Sequence, residues 1–400
     1  MCERFDLVVI GAGPAGLTAA LTAAAAGIRT LVLERDDTVG MPVNCAEGVT
    51  RASFERLFEH LPIDLDPAWI CTTPTRGRVF APSGAFFEMK HKHGGLVLDR
   101  VKLEQGLADA LVKHGGEVRC RWRATGLTSM GGSCRCVNAV SPRGELVHIE
   151  STVFIAADGV ESSIARKAGL STSLELIETE SFLQYTLADI QVDPDVIEAH
   201  LGSAVAPESY AWVFPKSDHE ANVGLGVPAV FGPHRPIRDF LDRFVQRRFG
   251  RATVIRTGCG TTPRYRGPGI LARDNLLVVG DAARVLDSLT GGGIITGMAS
   301  GRMAALAAVA LVKAEIHSVA ELHQMYPGRF VEKYHRELEF LARVKAFLSK
   351  LSDDEFNDVV EGLSEYFGRE AVESVDVLAT FVAVVREKPR ILRLARHLIS

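Results

Sequence analysis

The sequence predicts an α/β fold: a domain built on a parallel sheet, an antiparallel β-sheet domain inserted into it, and a helical C-terminal region. Three observations predict this. Two stretches, one at the start and one near residue 280, each read as a short apolar strand, a glycine-rich turn and a long apolar helix. Between them, from about residue 182 to 227, the pattern changes to the two-residue alternation of half-buried strands. Beyond residue 316 it changes again, to the spacing of amphipathic helices.

The first stretch is DLVVIGAGPAGLTAALTAAAAGIRTLVLE, residues 6–34. Residues 7–10 have the composition of a buried parallel strand. Gly11, Gly13 and Gly16 follow in the spacing G-x-G-x-x-G, then an alanine-rich helix closed by Gly27. A second strand, 30–33, ends on Glu34. Gly11 permits the tight turn, Gly13 lets a pyrophosphate approach the backbone, and Gly16 lets the helix pack close on the strand. The helix N-terminus offers free N–H groups and a positive dipole end to phosphates. Glu34 stands about 20 residues beyond the glycines, where an acid accepts from ribose hydroxyls. Strand, turn, helix and acid together predict a Rossmann-like dinucleotide-binding unit. A tight turn without a ligand would leave the acid unexplained.

Composition bounds the rest. Four hundred residues allow two or three domains with a sizeable core. A net charge of −4 gives no footing for a nucleic-acid partner. Seven scattered cysteines (residues 2, 45, 71, 120, 134, 136 and 259) include no C-x-x-C pair, which argues against an iron–sulfur or zinc site. An odd count with no leader before the first strand is expected of reduced cytoplasmic thiols. The longest apolar run, 303–312, lies between Arg302 and Lys313 and is shorter than the ~20 residues of a membrane span. The expectation is a protein that is soluble or at most peripheral.

After Glu34 a loop rich in turn residues carries Cys45, Ala46 and Gly48, and a helix resumes over 51–58. A loop in this position can fold back over a bound dinucleotide; a bare cysteine there also fits an inert, half-buried thiol. Residues 79–89 read as a hairpin turning at 82–84. A strand at 96–98 leads to Asp99, which caps a helix beginning at Arg100. Arg100 is placed for phosphate oxygens or for a solvated helix end. A strand over 117–123 leads into Ala124 and a ribbon turning at Gly131-Gly132. A buried strand, 153–157, ends at Asp158-Gly159, followed by a helix with Arg166 near its middle. In SYAWVFPK, Tyr210, Trp212 and Phe214 alternate and share one face; ANVGLGV supplies a glycine-bearing partner strand. These rings form either one wall of an apolar slot or a face packed on a helix. A helix spans 236–249. The strand 276–279 ends at Gly280-Asp281, and Gly291, Gly292 and Gly293 open a long helix whose dipole favours negative charge. The last residues mix Arg386, Lys388, Arg390 and Arg393 with Leu392, Leu394 and Leu398, a pattern that rests on a membrane surface or packs on its own domain.

GAGPAG with Glu34, Asp158-Gly159 and Gly280-Asp281 form a three-part signature that resembles FAD proteins of the p-hydroxybenzoate hydroxylase superfamily. Within it, PVNCAEGV around Cys45, YAWVFPK followed by NVGLGV, and GDAAR…LTGGGI resemble the geranylgeranyl reductase family, above all its archaeal digeranylgeranylglycerophospholipid reductases. The resemblance covers nearly the whole chain. It implies a glutathione-reductase-type FAD domain over 1–75, 95–180 and 255–315, a β-sheet substrate domain over 76–94 and 181–254, and a helical region over 316–400. Gly11, Gly13, Ala15, Gly16, Glu34, Cys45, Ala46, Gly48, Arg100, Ala124, Asp158, Gly280, Asp281, Gly293 and Ile294 would then bind FAD. The implied reaction is reduction of isolated double bonds in prenyl chains of lipids, with Tyr210, Trp212 and Phe214 lining the substrate slot. Cys45 would shape the site or relay the proton. The electron donor would be NADPH or a reduced carrier such as ferredoxin, docking transiently, since no further glycine-rich unit is built for a nicotinamide. One departure stands out: Asp287-Ser288 replaces the family's usual Asn-Pro. The same cofactor also serves aromatic hydroxylases that use dioxygen, and carriers that pass electrons to membrane quinones.

Overall fold

The computed structural model describes residues 3–367, apart from Arg235, Arg266, Pro268 and Gly269. The chain opens with β1 (Glu3–Ile10), α1 (Pro14–Ala25) and β2 (Thr30–Leu33), then β3 (Gly48–Thr50), α2 (Arg51–Phe58), β4 (Ile70–Thr72), β5 (Arg76–Phe80), β6 (Phe86–Lys90) and β7 (Gly95–Leu98). It continues through α3 (Arg100–Lys113), β8 (Glu117–Arg119), β9 (Arg123–Met130), β10 (Ser133–Val140), β11 (Leu146–Ala156) and α4 (Ser163–Lys167). Next come β12 (Thr179–Ala188), β13 (Val196–His200), β14 (Ala211–Pro215), β15 (Ala221–Pro228), α5 (Ile237–Phe249), β16 (Thr253–Pro263), β17 (Ala272–Arg273) and β18 (Leu276–Val278). Four helices follow: α6 (Ile294–Val312), α7 (Val319–His323), α8 (Arg329–Leu348) and α9 (Asp353–Phe367).

Two sheets organise these elements. The first runs β17-β18-β11-β1-β2-β8, with β10 and β9 extending as an antiparallel ribbon from β11. Its four central strands, β18, β11, β1 and β2, are parallel, and their C-terminal ends are buried on both faces. That burial explains why they read as unbroken apolar runs. The second sheet runs β16-β12-β15-β14-β13-β5-β6 and is antiparallel except where β13 meets β5. A small sheet, β3-β7-β4, lies beside α2. Helix α5 covers the second sheet with Phe240, Leu241 and Phe244.

Several sequence expectations are corrected. Strand β8 stops at Arg119, because Arg121 takes a left-handed φ of 63° and turns the chain before β9. The helix expected around Arg166 is a single short turn, with Arg166 at its end. Strand β16 pairs along the whole of β12, so the boundary expected at 254/255 falls inside the second sheet. The apolar run bounded at Arg302 is the second half of α6, a nineteen-residue helix. By length and composition α6 would suffice to cross a membrane, yet most of it is buried inside this fold. It crosses α1 so closely that a Cβ on Gly301 would stand 2.1 Å from the Ala15 carbonyl oxygen. The basic segment from Arg386 to Leu398 lies outside the described residues.

Candidate cofactor and substrate site

Three motifs more than 100 residues apart in sequence meet at one edge of the first sheet. Ile10 pairs with Ala156 on one side and with Leu33 on the other, and Ala156 pairs with Val278. The four strands therefore end level. Gly11, Glu34, Asp158 and Gly280-Asp281 all emerge at their carboxyl ends, where open α/β sheets bind ligands. The order of the strands reverses between β1 and β11, and there Gly11 adopts φ +103° against the Ala157 carbonyl. Ser162 Oγ donates to the Ala282 carbonyl at 3.0 Å and ties the turn after β11 to the turn after β18.

The residues at this edge fit a dinucleotide. A Cβ on Gly13 would meet nothing within 4 Å, so the backbone is open to an approaching group. Helices α1 and α6 begin at Gly13 and Gly293 with no side-chain cap, which leaves their first N–H groups for a ligand. Glu34 accepts from Ala12 N at 2.7 Å and from Asp36 N at 2.9 Å, and each carboxylate oxygen keeps a further lone pair. Asp158 Oδ2 accepts from Ile164 N at 2.9 Å, whereas its Oδ1 is buried without a partner. Burial pushes the carboxyls of Asp158 and Asp281 up; Arg100 draws that of Asp281 partly back. Ala124 begins the ribbon just past Trp122, whose N–H donates to the Glu34 carbonyl at 2.8 Å.

From the other side the loop 43–48 lies across the second sheet. Asn44 Oδ1 accepts from Cys259 N at 3.3 Å, and the Cys45 carbonyl accepts from Gln184 Nε2 at 2.9 Å. Gly48 receives the ring of Phe214: a Cβ there would come within 2.4 Å of Phe214 Cε2. Glu47, only 1% exposed, inserts its carboxylate between the second sheet and the start of α3. Lys216 Nζ at 2.6 Å and Asn222 Nδ2 at 2.7 Å donate to Oε2, and Arg100 N donates to Oε1 at 2.9 Å. The Cys45 sulfur accepts from Glu47 N at 3.3 Å and lies beside the Arg100 guanidinium. Arg100 Nε also donates to Glu104 at 2.7 Å. Burial alone would lower the Arg100 pKa, but Glu104 and Cys45 outweigh it and hold the guanidinium charged.

The aromatic residues border this junction. Tyr210, just ahead of β14, meets Trp212 edge to face at 5.9 Å, and the Trp212 indole lies on Gly224 of β15. Trp212 Nε1 donates to Gln184 Oε1 at 3.0 Å, so one glutamine holds both the wall and the Cys45 loop. Tyr210 OH donates to the Thr290 carbonyl. Burial raises its phenol above the usual range, with Glu180, Asp287 and Cys45 adding to the effect. The Asp287-Ser288 pair has a structural role here. Asp287 accepts from Leu289 N at 2.8 Å and from Thr290 Oγ1 at 2.5 Å, shaping the turn that leads into Gly291–Gly293. Ser288 Oγ accepts from Tyr265 N at 2.9 Å.

The structure thus gathers Gly11, Gly13, Ala15, Gly16, Glu34, Asp158, Gly280, Asp281, Gly293 and Ile294 at the sheet edge. It sets Cys45, Ala46, Gly48 and Arg100 between that edge and the aromatic residues. Sequence reasoning passed over Glu47, Gln184, Lys216 and Asn222. Only the neighbourhood of Glu47 and Lys216 hinted at them: a charge in a glycine-bounded loop, and a charge ending an aromatic strand.

Fold and site together define a flavoprotein, an FAD-binding sheet with a second sheet laid over its cofactor edge. Residues 6–69 match the FAD binding domain model, and residues 178–261 match the geranylgeranyl reductase catalytic domain. The digeranylgeranylglycerophospholipid reductase of Methanosarcina acetivorans is 35% identical over 91% of this chain and 90% of its own. That of Methanocella arvoryzae is 34% identical over 98% of each. A geranylgeranyl bacteriochlorophyll reductase-like protein from Thermoplasma acidophilum is 30% identical and superposes with a TM-score of 0.90 over all of both chains. The chain belongs to the geranylgeranyl reductase family.

Proposed function

We propose that this protein reduces isolated carbon–carbon double bonds in the geranylgeranyl chains of lipids, with FAD as its redox group. The observation that carries the reading is the junction itself. The Cys45 loop, rising from the nucleotide-binding sheet, is bolted to the aromatic face of the second sheet through Gln184 and Asn222. The cofactor, when bound, supplies the hydride. The chain's residues do the rest. Gly13 and the α1 N-terminus bind the pyrophosphate, Glu34 the ribose, and the α6 N-terminus offers N–H groups to the flavin's acidic edge. An isolated alkene has no carbonyl to hold developing charge, so catalysis rests on alignment and fixed dipoles in a water-poor slot. Tyr210, Trp212 and Phe214 supply its apolar wall. Cys45, between that wall and Arg100, shapes the slot or relays the proton that the second alkene carbon needs.

The electron donor in this reading is NADPH or a reduced ferredoxin-type carrier that docks transiently. Acting on a lipid, the protein would visit the cytoplasmic membrane peripherally. In this reading the first sheet would belong to the FAD domain and the second to the substrate domain.

The test is anaerobic. Purified protein carrying FAD is reduced with dithionite and mixed with a geranylgeranylated lipid, and product mass is followed. A gain of two hydrogens per double bond, with reoxidation of the flavin, is the expected result. A flavin that stays reduced until oxygen enters, with no mass change, sinks the reading. Cys45→Ala should keep FAD and slow the reduction; undiminished turnover would remove its role.

A further inference from the structure

We infer that Glu47 is the positioning residue for Cys45, a buried carboxylate that locks the Cys45 loop to the second sheet and to the first residue of α3 at once. Three features, each unfavourable alone, coincide in this residue. It takes a left-handed φ of 70°, which a residue with a side chain resists. Its carboxylate is removed from water. It also forces Lys216, only 12% exposed, to be buried with it. A loop that merely covered a sheet would use glycine at that φ and an apolar side chain beneath. Strain of this kind persists where the surroundings over-determine it, and it gathers at functional sites.

The attachments are directional. Lys216 and Asn222 reach Oε2 from the second sheet, and Arg256 approaches it at 3.5 Å. Asn222 cannot turn away, because Thr186 Oγ1 donates to its Oδ1 at 2.9 Å. The other carboxylate oxygen holds the first N–H of α3, the helix that carries Arg100. With the side chain fixed in this way, the Glu47 N–H points at the Cys45 sulfur. One carboxylate therefore sets the sulfur, the Arg100 backbone and the strands under the aromatic wall in register.

The test uses the FAD-loaded protein and the variant Glu47→Gln, which keeps size and shape but cannot pair with Lys216. Iodoacetamide labelling is read by peptide mass at Cys45 against Cys136 on the distant ribbon. Labelling of Cys45 should rise about fivefold or more while bound FAD is retained, because the opened loop is populated that much more. With prenyl lipid, kcat should fall about tenfold and KM move less. Unchanged labelling overturns the inference, whether or not turnover falls. If Glu47→Gln fails to fold or to hold FAD, Lys216→Met decides. It should raise Cys45 labelling in the same direction, and wild-type labelling there also overturns the inference. The turnover arm rests on the reductase reading; the labelling arm needs no lipid, so the two can fail separately.

Discussion

Gly13→Ala separates cofactor binding from folding. Gly13 has φ −76° and ψ 179°, a conformation alanine adopts without strain, and its Cβ direction is empty to 4 Å. The apoprotein should therefore barely notice the change. Replacing glycine by alanine at a helix N-cap costs about 1 kcal/mol or less, about 1 °C in Tm for a chain of this size. Binding should suffer much more. The added methyl stands where the pyrophosphate must approach the α1 backbone, and losing one charge-assisted hydrogen bond costs about 1.5–3 kcal/mol. That weakens Kd by about 10- to 150-fold. Deflavinated protein titrated with FAD, followed by quenching of tryptophan fluorescence, measures the loss, and thermal unfolding of the apoprotein measures the fold. An unchanged Kd, or an apoprotein Tm lowered by 10 °C (about 8 kcal/mol), would refute the argument.

Three further outcomes are expected. Gly301→Ala drives a methyl into the Ala15 carbonyl at 2.1 Å and should destabilise the apoprotein by about 1–3 kcal/mol in urea titrations; wild-type stability would mean that α1 and α6 slide apart freely. Gln184→Leu leaves the buried Trp212 Nε1–H and the Cys45 carbonyl without their partner, costing about 1–3 kcal/mol by the same titration; an unchanged midpoint would argue against the bridge. Burial raises Glu198, but His200 and Arg248 outweigh it and depress its pKa from 4.5 to about 2. Its contribution, about 3 kcal/mol, is thus complete above pH 4.5 and drains as the pH falls through about 2; Glu198→Gln should flatten that acid limb, and an identical limb would refute the assignment.

What the sequence made legible follows a physical division. Strands β1, β2, β11 and β18 announce themselves because burial on both faces demands continuous apolar residues, and the turns after β1, β11 and β18 because a glycine at positive φ stands in each. Asp99 as an N-cap and the Gly131-Gly132 turn were readable for the same local reasons. Glu47 and Asn222 were not, since they act across 175 residues of sequence and no local period marks a contact of that range. Strand β16 fell on the wrong side of a boundary because its pairing with β12 is set by hydrogen bonds, whereas its first half alternates only weakly and is largely exposed. Arg100 was legible as a helix-start cation, but its engagement with Glu104 and Cys45 needed the fold.

The crossing of α1 and α6 has a consequence for how the cofactor is received. Ser300 Oγ donates to the Gly297 carbonyl at 2.6 Å and accepts from Gly280 N at 3.0 Å, while Ala15 packs against Gly280, Gly297 and Gly301. The helix proposed to bind the phosphates and the helix proposed to face the flavin therefore form one solid body with the Gly280 turn. The spacing between the two ends of the socket is settled when the protein folds, and the entropy of arranging it is not charged to binding. Such a socket acts as a fixed gauge for a molecule of one length. A nucleotide that lacks either half would reach only one of the two helix ends.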